Sequence, residues 1–449
     1  MRIQLSDHFT CGKLLRFAFP SVCTMLFTSV YSIVDGYFVS NYVGKAPFAA
    51  LNFIMPALMI LGAVGSMLGV GGSALVAKTL GEQDREGANR LFSLFIYGTF
   101  IAGAVFALAG LFFLRPLAVL MGAEGDLLEN CLIYGRIFLL AMPAFMLQFA
   151  FQRFFVTAEK PQLGFWFTLG AGVANMILDA LFMGVFRWGL PGAAWATAIS
   201  QTAGGLLPAL WFFRPNDSLL RLGRTRFQGW AMAKACGNGA SEFVSNISMS
   251  VVGMLYNVQL LRYAGEDGVA AYGVLMYVSM VFIAIFIGYS MGTAPIVGYH
   301  FGAQDRAELR NLLRKSLGII SVGALCMFAA GELLALPLSR LFVGYDAGLL
   351  SMTLRGFRLF SFTFLLAGIP IYGSSFFTAL NDGLVSAVIS FLRTVVFEAA
   401  AVLLLPLLLG LDGIWLAGVA AEGFALLLTL FFWIRKADKY GYRDKAVPG

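Results

Sequence analysis

Five carboxylates stand inside long apolar stretches of this chain: Asp35, Asp179, Glu242, Glu398 and Glu422. A charge in hydrocarbon is costly, so such groups are retained where they bind a cation, relay a proton or pair with another charge. Thr28, Tyr31 and Asp35 recur at i, i+3 and i+7, on one face of a helix. Asn175 and Asp179 stand at i, i+4, a spacing that lets the amide donate a hydrogen bond to the carboxylate. Burial penalises the charge of such a carboxylate while a donated hydrogen bond stabilises it. Held between the two effects, the group can take up and release a proton near neutral pH. The alternatives are a headgroup contact for Asp35 and an interhelical polar clasp for Asp179, the latter typically worth about 0.6 kcal/mol.

The other acids carry different chemistry. Glu242, Asn246 and Ser250 form an i, i+4, i+8 stripe that could face a bundle interior or a water-filled cavity and bind a cation or an amine, or simply cap the helix. Glu422 reads as packing glue between helices, and Glu398 stays open, with Arg393 five residues before it and too far round for an i, i+4 pair. Gln148, Gln152 and Arg153 are further inward-leaning polar residues, Arg153 reading as an anchor at a membrane face. Candidate substrate contacts are Thr28, Tyr31, Gln148, Glu242 and Asn246. A minority of the 43 Phe and 18 Met could line a pocket for flat aromatic cations.

The elements that must position these groups follow from composition. Of 449 residues, 59% are hydrophobic and only 12% charged, with a mean hydropathy of +0.81. Soluble domains carry about 25% charged residues, which excludes an ordinary soluble enzyme, a disordered regulator and a fibrous protein. A spanning helix needs about 20 mostly apolar residues. Charge-free runs at 17–34, 46–77, 91–114, 161–178, 188–213, 243–261, 268–299 and 359–381 meet or approach this length. Weaker segments at 137–152, 316–331, 384–409 and 413–434 fill the gaps. The expected fold is therefore all-α: a polytopic membrane protein of 12 transmembrane helices. Five scattered cysteines and two histidines without CxxC or CxxH spacing indicate neither a disulfide framework nor a metal cluster. The polar opening MRIQLSDHFTCGK lacks a secretory-signal pattern, so the first span is expected to stay in the mature protein.

One offset, 221 residues, relates Gly81-Glu82-Gln83-Asp84-Arg85 to Gly302-Ala303-Gln304-Asp305-Arg306. It also relates Tyr42-Val43-Gly44 to Tyr263-Ala264-Gly265, Pro116-Leu117 to Pro337-Leu338, Gly135 to Gly356, Thr157-Ala158 to Thr378-Ala379 and Gly192 to Gly413. Six spans per half is an even number, so the repeats run parallel. The expected organisation is an N-terminal six-helix lobe (1–213), a basic linker (214–234) and a C-terminal six-helix lobe (235–449). Folds of this kind bind substrate near the bilayer midplane and alternate access between lobes. With the N-terminus inside, only Lys45, Arg115, Arg136, Arg187, Arg262, Arg340, Arg355 and Arg358 of the 31 basic residues fall outside. This positive-inside bias puts both termini in the cytoplasm and accounts for the net charge of +7 without nucleic acid. No GxxxxGK[ST], TVGYG, GxSxG or HExxH pattern is present, which argues against ATP hydrolysis, a potassium filter or hydrolytic catalysis.

Taken together, the twelve spans in two halves, Val34-Asp35-Gly36, Asn175-x-x-x-Asp179 and the two GxQDR segments resemble the MATE (multidrug and toxic compound extrusion) antiporters, over essentially the whole chain and closest to the bacterial and archaeal type with paired N-lobe aspartates. The resemblance implies two bundles in a V and export of organic cations from the inner membrane in exchange for protons or sodium ions. It needs no cofactor and can work as a monomer among membrane lipids. It also makes Asp35 and Asp179 the cation-coupling acids and Asn175 their neighbour. The chain departs from some sodium-driven members, because 355–379 holds no Asp or Glu. The alternative is a flippase for a lipid-linked saccharide, whose phosphates would call for a cavity lined by Arg or Lys.

Overall fold

The computed structural model describes residues 3–442, and among these there is no strand. The helices are α1 (Cys11–Tyr42), α2 (Lys45–Gly81), α3 (Arg85–Leu120), α4 (Gly125–Thr157), α5 (Pro161–Asp179), α6 (Gly189–Phe213), α7 (Gly229–Gly302), α8 (Arg306–Val343), α9 (Ala347–Ala379), α10 (Gly383–Phe391), α11 (Glu398–Leu409) and α12 (Leu411–Tyr440). Among the described residues, ten helices, with α7 counted as one, are long and apolar enough to cross a membrane. Leu120, Leu341, Phe112 and Leu408 are each at least 77% exposed, as residues that face lipid are. The protein is multi-pass.

Local chemistry sets the helix ends. Gln83 and Gln304 take positive φ (65° and 57°), and the Asp84 and Asp305 side chains then cap α3 and α8 by accepting from Gly87 N at 2.8 Å and Glu308 N at 2.9 Å. These caps supply partners to backbone donors that a helix leaves free at its start. α7 consists of two helical segments, 229–264 and 266–302, broken at Gly265 (φ 63°, ψ −151°), a conformation that suits glycine alone. Two π-helical turns interrupt other helices. Ala180–Val185 follows Asp179 directly, and Leu392–Phe397 joins α10 to α11 just ahead of Glu398. Such turns lodge an extra residue and recur at functional sites.

The chain divides into two compact units, residues 23–243 and residues 1–22 with 244–449. In the first, α4 packs against α2, α3 and α6. Small residues allow the approach: a Cβ on Gly65, Gly103 or Gly205 would lie 2.7, 2.5 or 2.2 Å from the backbone of Met146, Pro143 or Ala144. Its core joins Phe138, Met142, Phe145 and Met146 to Ile54 and Leu58. Residues 214–228 are not helical and lie along α3, held by Arg221 N donating to Asn89 Oδ1 (2.7 Å) and Gly223 N to Ser93 Oγ (3.0 Å). The helix that follows begins at Gly229, inside the stretch 214–234 expected as linker. In the second unit, Tyr256, Phe357, Phe360, Phe364 and Trp415 form the core.

Candidate functional site

The fold gathers α1, α4, α5 and α6 around Asp179. Gly172 sets the distance between α1 and α5, since a Cβ there would lie 2.5 Å from the Phe27 ring. That ring stacks on Tyr31 with centroids 6.3 Å apart. One turn further along α5, Asn175 and Asp179 are buried (0% and 1% exposed). With the Asn175 amide oriented to satisfy its neighbours, its nitrogen donates to Tyr31 Oη (2.6 Å) and Asp179 Oδ2 (3.2 Å), and its oxygen faces Thr197 N at 3.2 Å. Asp179 Oδ1 is buried and receives no hydrogen bond among the described residues. The Asp35 carboxyl group reaches that of Asp179, close enough for a hydrogen bond once one of the pair carries a proton.

Two groups that spacing along the chain does not reveal complete this pocket. Tyr134 of α4, 2% exposed, stands in the field of both aspartates and bonds to Thr197 of α6. Thr197 and Gln201 follow an i, i+4 polar register on α6, which is the signal that could have found the former. Tyr134 is one aromatic residue in an aromatic-rich helix and carries no such signal.

The other candidates lie apart from these. Thr28 donates its hydroxyl to Thr24 O of its own helix at 2.8 Å. Glu242 meets Arg153 Nη2 at 3.5 Å, so both are engaged with each other. Asn246 and Ser250 are exposed. Gln148 packs on Gly204 of α6, and its Oε1 is buried without a partner. In the second unit Arg393 binds Glu422 through two nitrogens. The described residues hold no group of three His, Cys, Asp or Glu side chains that could hold a metal ion.

This geometry can hold one small cation or proton between two carboxyls, with a carboxamide and two phenols to orient them. The chain is 26% identical over 421 residues to the multidrug export protein MepA of Staphylococcus saprophyticus, covering 93% of this chain and 90% of that one. Its fold matches a MATE crystallised with MaL6 at a TM-score of 0.91, with 22% identity and 97% and 98% of the two chains covered. An outward-facing multidrug resistance MATE family transporter of the MOP superfamily matches equally, with a TM-score of 0.91 and 22% identity over 97% and 98% of the chains. The MatE family model matches twice, over residues 20–181 and 243–402. With both halves of the chain matched, this protein belongs to the MatE family.

Proposed function

We propose that this protein is a secondary transporter that exports organic cations by antiport against protons or sodium ions. The observation that carries this reading is the meeting of Asp35 and Asp179 inside the spanning helices, with Asn175 and Tyr31 bonded to one another beside them. Two carboxyls brought together inside the spanning helices can hold a cation reversibly, which is what coupling requires. Entry of the ion neutralises the pair, α1 bends at Pro20, where a backbone hydrogen bond is missing, and the substrate is released. Linkage then requires substrate binding to weaken ion binding by the same factor. The name of the S. saprophyticus relative, a multidrug export protein, supports the substrate class. Thr28, Tyr31, Gln148, Glu242 and Asn246 remain the proposed substrate contacts.

The same reading includes twelve spans in two parallel halves, working as a monomer in the cytoplasmic membrane with both termini inside. Supporting it are the double family match, the break of α7 at Gly265, the matching caps at Asp84 and Asp305, and the positive-inside charge distribution. The flippase alternative gains no support. Arg153 and Arg393 are each bound to a glutamate rather than free for a phosphate.

The test is efflux of a fluorescent organic cation from proteoliposomes under an imposed pH gradient and then a sodium gradient. Efflux driven by one gradient and lost in Asp35→Asn and Asp179→Asn supports the reading and names the ion. Efflux that persists in both variants overturns it.

A further inference from the structure

The second unit carries a polar pocket of its own, in the position that the 221-residue offset assigns to the first. Tyr256 stands 221 residues after Asp35, Gly418 after Thr197, and Glu422 after Gln201. Glu398 lies two residues before the position that answers to Asp179. Both Asp179 and Glu398 border a π-helical turn, one before it and one after it. The two pockets thus share a framework and differ in the groups placed on it.

In the second pocket Arg393, inside the π turn, grips Glu422 of α12. Its Nε lies 2.9 and 3.0 Å from the two carboxylate oxygens, and its Nη2 lies 2.7 Å from Oε1. A two-pronged pair of this kind is specific in geometry and satisfies both partners. Glu398 stands within the field of this pair and is bound by neither member. One guanidinium against two carboxylates leaves one negative charge uncompensated inside the membrane, an arrangement that calls for a cationic partner.

Three further observations point to Glu398 as the group that receives it. The Tyr256 hydroxyl is buried (residue 1% exposed) and is turned to the Glu398 carboxyl, within hydrogen-bonding reach of it. Thr363 of α9, 4% exposed, has a hydroxyl with no hydrogen-bond partner among the described residues. Both hydroxyls border Gly418, where a Cβ would sit 3.4 Å from Thr363 Oγ1 and 3.7 Å from Tyr256 Oη. Tyr272, stacked on Tyr256 with centroids 4.7 Å apart, faces the same carboxyl.

We propose that Glu398 is a proton-binding site, separate from Asp35 and Asp179, held between the Arg393–Glu422 pair and the two tyrosines of α7. The groups facing it are Arg393 from its own π turn, Glu422 from α12, and Tyr256 and Tyr272 from α7. α9 adds the neutral Thr363, and its charged residues Arg355 and Arg358 are exposed. On α8, Glu332 accepts from Ser361 of α9. A metal ion or organic cation at Glu398 would stand beside the Arg393 guanidinium with no third acid to complete its shell. A proton needs one oxygen and no shell, and it brings the cluster to neutrality. When protonated, Glu398 becomes a donor in addition to an acceptor, and the Tyr256 hydroxyl beside it can answer either form.

Infrared difference spectroscopy of the full-length protein in lipid, with pH stepped from acid to alkaline, tests this through the C=O stretch of protonated carboxyl groups. Wild type should show a titrating band from which Glu398→Gln removes the amplitude of one carboxyl. The double variant Asp35→Asn/Asp179→Asn should keep that component. A band unchanged in Glu398→Gln overturns the proposal. If that variant does not fold, Tyr256→Phe and Glu398→Asp should each move the midpoint of the component, and unmoved midpoints overturn the proposal equally. Replacing choline by sodium should leave the midpoint in place, whereas competition by sodium would make this a metal site instead. The band reads protonation and not transport, so its outcome is separate from whether a gradient drives efflux through Asp35 and Asp179.

Discussion

A Cβ on Gly71 would lie 1.8 Å from the carbonyl oxygen of Ala235. The early turns of α7 therefore touch α2 backbone to backbone, and Gly239 repeats the contact one turn on, 1.9 Å from Met67 O. In the other unit, Gly288 and Gly292 of α7 meet Val22 and Ala18 of α1 at 2.5 and 2.6 Å. Gly71→Ala should cost roughly 1–3 kcal/mol or prevent folding, because the neighbour is backbone and cannot turn aside. Gly170→Ala, where nothing lies within 4 Å, is the control and should be neutral or slightly stabilising. Thermal unfolding in detergent compares the two, and equal effects would contradict the close contact.

Asn175 holds Tyr31 and Asp179 at once. Asn175→Ala removes two hydrogen bonds at once, together worth roughly 1–3 kcal/mol. Cation-driven efflux should fall by roughly tenfold or more, since each 1.4 kcal/mol is a factor of ten. The protein should keep its thermal midpoint better than it keeps its transport. A variant with intact efflux would remove Asn175 from the site.

How much of this site could be read from the chain depends on whether its contacts are local. Asn175 and Asp179 share one helix, so their spacing alone predicts the bond between them. The cost of charge in hydrocarbon singles out Asp35 without any structure. By contrast, Tyr134 and Thr197 reach the pocket from other helices, and Arg153 finds Glu242 across 89 positions of chain. Arg393 illustrates the limit well. Its local neighbour Glu398 is out of register, and its true partner, Glu422, lies 29 residues on and across a helix interface. The turns at Gln83 and Gln304 follow from a repeated motif, but the π turns leave no mark in composition because they are a departure from the regular period.

Arg393→Met leaves Glu422 buried and unpaired, which should destabilise the protein by about 3–5 kcal/mol. The double variant Arg393→Met/Glu422→Leu should recover most of that loss, because an apolar pair of similar volume replaces the ion pair. Chemical or thermal unfolding of the two single variants and the double one forms the cycle. Additive losses would show that the two side chains do not act as a pair.

Asp382, in the loop before α10, gives a pH dependence. Burial pushes its carboxyl up, but the Tyr440 hydroxyl (2.5 Å), Lys439 (3.6 Å), the Val385 N–H (3.4 Å) and Lys436 (3.7 Å) together hold it below its ordinary value. A carboxyl depressed on folding stabilises the protein above its unfolded pKa of about 3.9 and loses that contribution as pH falls through the folded value. Asp382→Asn should therefore be less stable than wild type at pH 7, and the gap should close below about pH 4. A gap that stays constant into acid would show that the charge of Asp382 contributes nothing.

The two compact units do not divide at the loop 214–228. The turns 229–243 that open α7 group with residues 23–213, and the turns 11–22 that open α1 group with residues 244–442. The opening turns of α1 and of α7 each group with the unit that holds the rest of the other helix. Cutting the chain in the loop 214–228 would thus yield two fragments that each lack a piece of one unit and carry a piece of the other. Such fragments should be inert apart and competent when coexpressed.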